Sequence, residues 1–483
     1  MLRQHTRCGV SGVLYEDWQE AVQTNTTKPN KGCRPMKIKN SLLLAFISII
    51  LILSACSKEA PTAATADSAK PAAATSNEAA PSTEPITLKF YNSSGTFTNT
   101  EFKTFIADPV NKKFPHIKVE RIEPPTGTTP EDFFSSGQIP DIIYSSSSSH
   151  RKVISLGVLL DLNEYVKKYN FDLSRIKPEM LSYAKELSNK GELLELPFNS
   201  NQHILYYNKD IFDKFGVPYP SDTQMTWEQA LELGRQLTRS ENGVNYIGID
   251  AEGPIGIAKN LALPVIDPKS GKSLLNTPDW VRVFNLAKQN YEIPGYIGKD
   301  DKYVYGRDEF MKDRNLAMRP TWLANMVGPL EELRQQGLEV NWDIAPVPTF
   351  SDQLGKSREA QNHTLSVFTK STHKDEAFQA IAHILSDDTQ RILARNGRVP
   401  SIINPELEKE YGADLPVLKG KKVQNVFAVK PIQEHTSHQF ELDINKFVTE
   451  AAANIAKGTD VNTAIRKASE SIDKEVERLQ KNQ

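Results

Sequence analysis

From Ile86 to Tyr91 apolar and polar side chains alternate, the two-residue period of a half-buried strand. Residues 117–122 repeat that alternation, and Asp141-Ile-Ile-Tyr144 is a short apolar run preceded by Gly137 and Pro140. Residues 101–114 carry a helical pattern between the first two. The order strand, helix, strand, helix, strand predicts an α/β lobe with a largely parallel sheet. Further along, residues 157–162 lead into a helix around Tyr165. Thr226 with Gln229 three residues later forms a capping box for a helix over 227–237. Residues 246–250 predict a strand, and a helix starts near Trp280 and runs to Tyr291. Strands follow at 342–347 and 365–369, then one helix over 375–395 stopped at Gly397. Val461, Ile465, Ala468, Ile472, Val476 and Leu479 recur at helical spacing and make a final amphipathic helix.

One stretch combines both kinds of position. In residues 196–214, Ile204, Leu205, Tyr206 and Tyr207 form an apolar, aromatic run that predicts a buried strand. Before it lie Asn199, Ser200, Asn201, Gln202 and His203, which read as a polar loop entering that strand. After it, Asn208 and Asp210 can cap a helix through Ile211, Phe212 and Phe215, stopped at Gly216. Uncharged hydrogen-bonding groups beside an aromatic strand suit an uncharged polyhydroxylated ligand. In parallel sheets ligands sit beyond the carboxyl ends of the strands. That singles out Asn92 to Ser94 after the first strand and the five serines 145–149 after the third.

The N-terminal region follows a different logic. Met36-Lys-Ile-Lys-Asn40 is a basic start, residues 42–53 are apolar, and Leu53-Ser-Ala-Cys56 closes the segment. The apolar run is shorter than the roughly 20 residues a membrane span needs. The three parts read as a secretory signal. Leu-Ser-Ala-Cys resembles the bacterial lipobox, which makes Cys56 the lipid-bearing first residue of the mature chain. Residues 56–85 are dominated by Ala, Pro, Ser and Thr and read as a flexible tether. Residues 1–35 precede a complete signal that has its own methionine, so they read as a non-native upstream extension. A peptide from that segment in the precursor would refute this.

Composition narrows the function classes. The 483 residues carry 58 Lys and Arg against 60 Asp and Glu, a net charge of −2, so no nucleic-acid footprint exists. The three cysteines, Cys8, Cys33 and Cys56, all precede the folded part, which excludes a disulfide framework and a cysteine-based zinc site there. Gly271-Lys272-Ser273 lacks the glycine five positions earlier that a phosphate loop requires, since Ile266 stands there. Neither a zinc-protease nor a serine-hydrolase motif is present. His435 and His438 have no evident third ligand nearby, and no metal or cofactor is expected.

Several landmarks in order resemble family 1 extracellular solute-binding proteins of ABC importers, the group that includes maltose-binding protein. They are Leu205-Tyr-Tyr-Asn-Lys-Asp210, Thr226-Trp-Glu228, Phe310 to Met318 followed by Trp322, Trp342-Asp-Ile-Ala-Pro-Val-Pro348, and Lys374 to Phe378 with Gly397 and Pro400. Asp313 or Arg314 stands where that family commonly has glycine. The resemblance implies a two-lobed α/β fold with a hinge and an interlobe ligand cleft. Its lobes would be 86–200 plus 363–400 and 201–362 plus 401–483. It also implies a non-enzymatic, monomeric subunit. That subunit would capture a carbohydrate and pass it to permease subunits served by a separate ATPase, from the outer face of the cytoplasmic membrane. In the same picture Trp322 stacks on a sugar ring, while Asn201 and His203 face the cleft. Asn92, Ser93, Tyr144 and Ser145 line the first lobe, and residues 433–440 supply a late contact. Trp227 and Trp280, each at a helix start, read as structural. A lipid-anchored enzyme acting on polysaccharide, or a same-fold binder of a non-sugar solute, are the competing functions.

Overall fold

The computed structural model describes residues 84–481, except Ser94 and Thr126. The upstream extension, the signal, Cys56 and most of the tether lie outside the described residues. Two sheets organise the rest. The first has six strands: β1 (Ile86–Asn92), β2 (Ile117–Ile122), β3 (Ile142–Ser146), β4 (Leu196–Asn201), and further along the chain β8 (Gln361–Val367) and β9 (Val399–Pro400). Their order is β9-β4-β8-β3-β1-β2. β1 pairs in parallel with β2 and β3, as the strand–helix–strand order predicts. The other half is antiparallel, because β8 returns from the second sheet and runs against both β3 and β4. The sheet is therefore mixed rather than largely parallel.

The second sheet is a three-stranded antiparallel set. It comprises β5 (His203–Asn208) flanked by β6 (Met318–Trp322) and β7 (Trp342–Ala345). β5 fulfils the buried-strand expectation, with every residue buried. Tyr206 and Tyr207 lie in the core that also holds Trp227, Trp280 and Trp342. A separate core packs around the first sheet through Leu88, Phe90, Phe105 and Phe198. Strands β4 and β5 are joined only through Gln202, so the chain passes from one sheet to the other at that residue.

Most caps read from the sequence are present. Asn208 Oδ1 accepts from the Asp210 amide at 3.1 Å, and Gly216 closes that helix in the left-handed conformation with φ of 65°. The Thr226 and Gln229 side chains form the reciprocal capping box over Trp227–Leu237. Trp227 and Trp280 are fully buried and donate to Asn260 Oδ1 and Pro264 O.

Four expectations need correction. The polar segment before β5 is not a loop: Leu196–Asn201 is strand β4, buried throughout. It lies between β8 and β9, so the polar groups find partners across the sheet. His363 Nδ1 donates to Asn199 Oδ1 at 3.0 Å. The helix expected over 375–395 is two helices, Lys374–Ile384 and Asp387–Arg395. Ser386 adopts an extended conformation and its side chain accepts from the Thr389 amide, starting a new helix with Asp387 and Asp388 in its first turn. The strand expected over 246–250 is not formed: a three-residue strand, Val244–Tyr246, ends where it was to begin, and beyond it only Ile247 bridges to Leu316. Gly248 then abuts the backbone of Gly234, leaving no room for a Cβ. Finally, the helix over 101–114 widens into a π turn at Lys103–Ala107. Pro109 lies two residues beyond it, and a wider turn relieves the clash of its ring with the carbonyl four residues back.

Candidate functional site

The sheet-to-sheet joint is stitched by backbone polar groups. Asn201 Oδ1 accepts from the Ala324 amide at 3.1 Å, and Gln202 O accepts from the Leu323 amide at 2.8 Å. Both amides belong to the first turn of the Leu323–Gln335 helix, whose free donors need such partners. Pairing of β5 with β6 sets His203 opposite Trp322. Their ring centroids are 3.4 Å apart. His203 Nδ1 donates to Glu359 O at 3.3 Å, leaving Nε2 buried and unpartnered. Burial, with Arg358 and Lys259 beside it, holds this imidazole neutral, well below its ordinary range.

The first-lobe residues singled out in the sequence form a second group. Ser93 Oγ lies 2.9 Å from Ser145 Oγ and donates to Tyr144 O at 3.0 Å. Asn92 Nδ2 donates to Gly95 O. The Tyr144 ring stacks on Phe97 at 4.7 Å, and its hydroxyl is buried without a partner. Thr96 Oγ1 reaches Asn325 Oδ1 at 3.3 Å, joining this group to the Leu323–Gln335 helix. That helix approaches closely at Gly328, where a Cβ would sit 2.9 Å from Glu101 Oε2. Glu101 in turn holds Arg398, whose Nε donates to Glu101 Oε1 at 2.8 Å and Nη2 to Thr96 O at 2.9 Å.

A chain of charged groups was invisible in the sequence. Lys259 Nζ lies 5.3 Å over the Trp322 ring and 3.1 Å from Glu359 Oε1. His435 is clasped between two carboxylates, with Nδ1 2.8 Å from Glu359 Oε2 and Nε2 2.8 Å from Glu441 Oε1. Burial pulls this imidazole down, but Glu359 and Glu441 outweigh it and raise it to about 10, so it is charged at neutral pH. The same cations hold the Glu359 carboxyl below its usual range against the opposing effect of burial. Both nitrogens of His435 are therefore occupied. Among the described residues, no group of three His, Cys, Asp or Glu is placed to hold a metal ion.

Beside this chain lies a cavity of about 60 Å³. Its walls include Arg151 and Lys152 on one side and Lys259, Glu359, Glu434 and His435 on the other. It spans the two cores: Arg151 and Lys152 belong to the Ser147–Ser155 helix beside β3, and Lys152 Nζ bridges Glu131 at 3.0 Å and Asp443 at 3.4 Å. None of Asn92, Ser93, Tyr144, Ser145, Asn201, His203 and Trp322 lines it. Trp322 and His203 adjoin its wall through Lys259 and Glu359. The sequence signal that reached this cavity was the 433–440 segment, expected to supply a late contact, whose Glu434, His435 and His438 line it; Lys259 and Glu359 carried no signal.

Under the cavity, His150, Glu195 and Thr364 form a fully buried set. Thr364 Oγ1 lies 2.9 Å from His150 Nε2 and 3.1 Å from Glu195 Oε2. Burial lowers His150 to about 3 and raises Glu195 from 4.5 to about 8. Their 3.2 Å approach is thus a contact of neutral groups at pH 7. A protonated Glu195 is favoured in the folded state. The stability it lends is complete below about pH 4.5 and is lost as pH rises through about 8. Glu195→Gln, which mimics the neutral acid, is expected to flatten the fall of melting temperature over that window. An unchanged pH profile would count against the burial account.

Two α/β lobes with separate cores, joined by crossing strands around an interlobe cavity, define a cleft-type binding protein. Residues 94–391 match the bacterial extracellular solute-binding protein family, and the chain belongs to that family. It is 25% identical over 281 residues to a Rhizobium meliloti protein named sn-glycerol-3-phosphate-binding periplasmic protein UgpB, covering 54% of this chain and 62% of that one. The Brucella abortus protein of the same name is 31% identical over 314 residues, with 59% and 69% covered. The match thus spans somewhat under two thirds of the first relative's length and slightly more of the second's. Among solved structures, an ABC substrate-binding protein from Listeria monocytogenes in complex with cycloalternan superposes with a TM-score of 0.65. It shares 17% identity and covers 81% of this chain and 99% of its own. A solute-binding protein from Thermotoga lettingae bound with α-D-tagatose superposes with a TM-score of 0.61 at 16% identity, with 81% and 99% covered. These likenesses establish the fold.

Proposed function

We propose that this chain is the lipid-anchored, extracytoplasmic subunit of an ABC importer, capturing a sugar or oligosaccharide between its lobes and delivering it to a membrane permease with a separate ATPase. The observation that carries the reading is the joint between the sheets. There Asn201, His203 and Trp322 meet the start of the Leu323–Gln335 helix beside the interlobe cavity. Relatives named for sn-glycerol 3-phosphate and neighbours solved with sugars both point to a small, hydroxyl-rich solute.

The lobes are taken as 86–200 plus 363–400 and 201–362 plus 401–483. A ligand cleft commonly measures about 300–1,000 Å³. The present cavity is far smaller, so admission of a sugar requires the lobes to part about their crossing segments. Binding then favours the closed form through the contacts made to both lobes, and hinge closure of periplasmic binding proteins is the standing example of such a motion. The subunit acts by binding and release, without catalysis, and as a monomer tethered through Cys56. Mass analysis of the mature N-terminus for a lipidated Cys56 tests the anchor.

Calorimetry against an oligosaccharide panel, with product analysis of each mixture, tests the function. Saturable binding that leaves the glycan intact is the expected outcome. Turnover would establish the polysaccharide-acting enzyme instead. Silence with every sugar, together with binding of a peptide or amino acid, would establish a non-sugar binder.

A further inference from the structure

Glu359 stands where the chain returns from the second sheet to the first. On one side of it Arg358, fully buried, is fixed to the second core: its guanidinium donates to Glu252 Oε2 at 2.7 Å, Pro320 O at 3.2 Å and Ala251 O at 3.2 Å. On the other side Gln361 pairs with Asn201 in the first sheet. The earlier crossing at Gln202 runs alongside, since Asn201 faces Gln361 and His203 Nδ1 donates to Glu359 O at 3.3 Å. Every polar atom of Glu359 has a partner within the protein. Its amide donates to Lys259 O at 2.9 Å and its Oε1 pairs with Lys259 Nζ at 3.1 Å. Its Oε2 accepts from Nδ1 and from the amide of His435, at 2.8 and 3.3 Å. Those two cations belong to the surface of the cavity: Lys259 also covers the Trp322 indole, and His435 belongs to the 433–440 wall. A buried carboxylate that bridges two cations fixes both, because moving away from either leaves a charge unmatched.

We propose that Glu359 is the positioning residue of the cleft: from the crossing between the sheets it holds Lys259 on the Trp322 indole and His435 in the cavity wall, so that platform and wall are assembled when the lobes close. This rests on the reading of the cleft as the solute site. Glu359 acts through the two cations and makes no contact with the solute itself, because both of its oxygens are engaged. The charged groups around it are Lys259, His435, Glu434 and Arg358, with Glu441 on the far side of the His435 ring. Removing the Glu359 charge from this set lets the imidazolium lose its proton more easily and releases the Lys259 ammonium from its place over the indole.

The test compares the wild-type full chain with Glu359→Gln, Glu359→Asp, Lys259→Met and His435→Gln, each checked for cooperative melting. The first readout needs no solute. The His435 ring resonance, assigned by its loss in His435→Gln, is followed by NMR as pH rises. In the wild type the imidazolium is expected to keep its proton up to about pH 10. Glu359→Gln should lower that midpoint by about one pH unit or more, and Glu359→Asp, which keeps the charge on a shorter arm, by less. The second readout is calorimetry with maltose, maltotriose and raffinose. Glu359→Gln is expected to bind about tenfold more weakly than wild type, with Glu359→Asp in between. Adding Lys259→Met to Glu359→Gln should cost less than the two single losses together, as for groups of one network. Should Glu359→Gln not fold, Glu359→Asp with Lys259→Met carries the same comparison. An unmoved His435 midpoint overturns the proposal whatever binds. Where the wild type binds a sugar, unchanged affinity in Glu359→Gln or strictly additive losses also overturn it, and either leaves the proposed function standing. Silence of a folded wild type toward these sugars and the whole oligosaccharide panel defeats the proposed function, and the His435 midpoint alone then decides whether Glu359 holds these groups.

Discussion

Replacing Arg398 with leucine is expected to lower the apparent unfolding free energy by about 3–5 kcal/mol, the cost of stranding a buried charge. The Arg398 side chain is 2% exposed and that of Glu101 is 9%, with Nη2 2.6 Å from Glu101 Oε1. Removing the guanidinium leaves the Glu101 carboxylate without its cation and Thr96 O without its donor. Glu101 also accepts from the Thr98 amide at 2.9 Å in the capping box of the Asn99–Phe102 helix, so it cannot turn away freely. The pair sits against Gly328 of the opposite lobe, and the variant should therefore also weaken ligand binding. Urea unfolding followed by circular dichroism measures the first effect and calorimetry the second. The double replacement Arg398→Leu with Glu101→Leu should recover a large part of the stability, because two apolar groups leave no charge behind. A single variant as stable as the parent would show that Glu101 reaches solvent and that the pair is dispensable.

Arg398 also illustrates where the sequence stops being informative. Local pattern revealed β1, β2, the capped helix after Asn208 and the capping box at Thr226, because each depends on residues within a few positions of one another. Family resemblance supplied the two lobes and the joint between them. Strand β4 was misread because its polar groups are bonded at long range: Asn199 Oδ1 by His363 of the neighbouring strand, and the Phe198 carbonyl by Gln390 of a helix 192 positions away. A polar segment whose partners lie that far away looks like a loop. The break at Ser386 was legible in principle, since a serine followed by two aspartates is a helix start, but continuous apolar spacing on both sides concealed it. The charged chain of Lys259, Glu359, His435 and Glu441 comes from three separate stretches of sequence. Isolated lysines, glutamates and histidines carry no sign that they will meet in a buried site; of this part of the cleft only the 433–440 segment was signalled, through the family resemblance.

Trp322→Ala is expected to weaken solute binding by about 2 kcal/mol, roughly 30-fold, the loss typical of removing an aromatic anchor. The residue ends β6 and is only partly buried, unlike Trp227, Trp280 and Trp342, which are sealed in the second core. One of its neighbours is the His203 ring; another is the Lys259 ammonium over the indole face. An indole presents a broad apolar face suited to the C–H face of a sugar, with an N–H able to reach a hydroxyl. In the proposed cleft its loss removes the platform and also frees Lys259 from one of its contacts. Stability should change little, because a partly exposed strand end leaves no sealed cavity when trimmed. Trp322→Phe, which keeps a smaller face, should fall between the two. Calorimetry and thermal melting on the same preparations separate the alternatives. If affinity holds while stability drops by about 3–5 kcal/mol, as for a large side chain removed from a core, then Trp322 is packing and the solute contacts lie elsewhere along the cleft. That outcome would shift the recognition of the ligand toward Arg151, Lys259 and the 433–440 segment. It would leave Asn201 with the structural duty it already performs, holding the first turn of the Leu323–Gln335 helix.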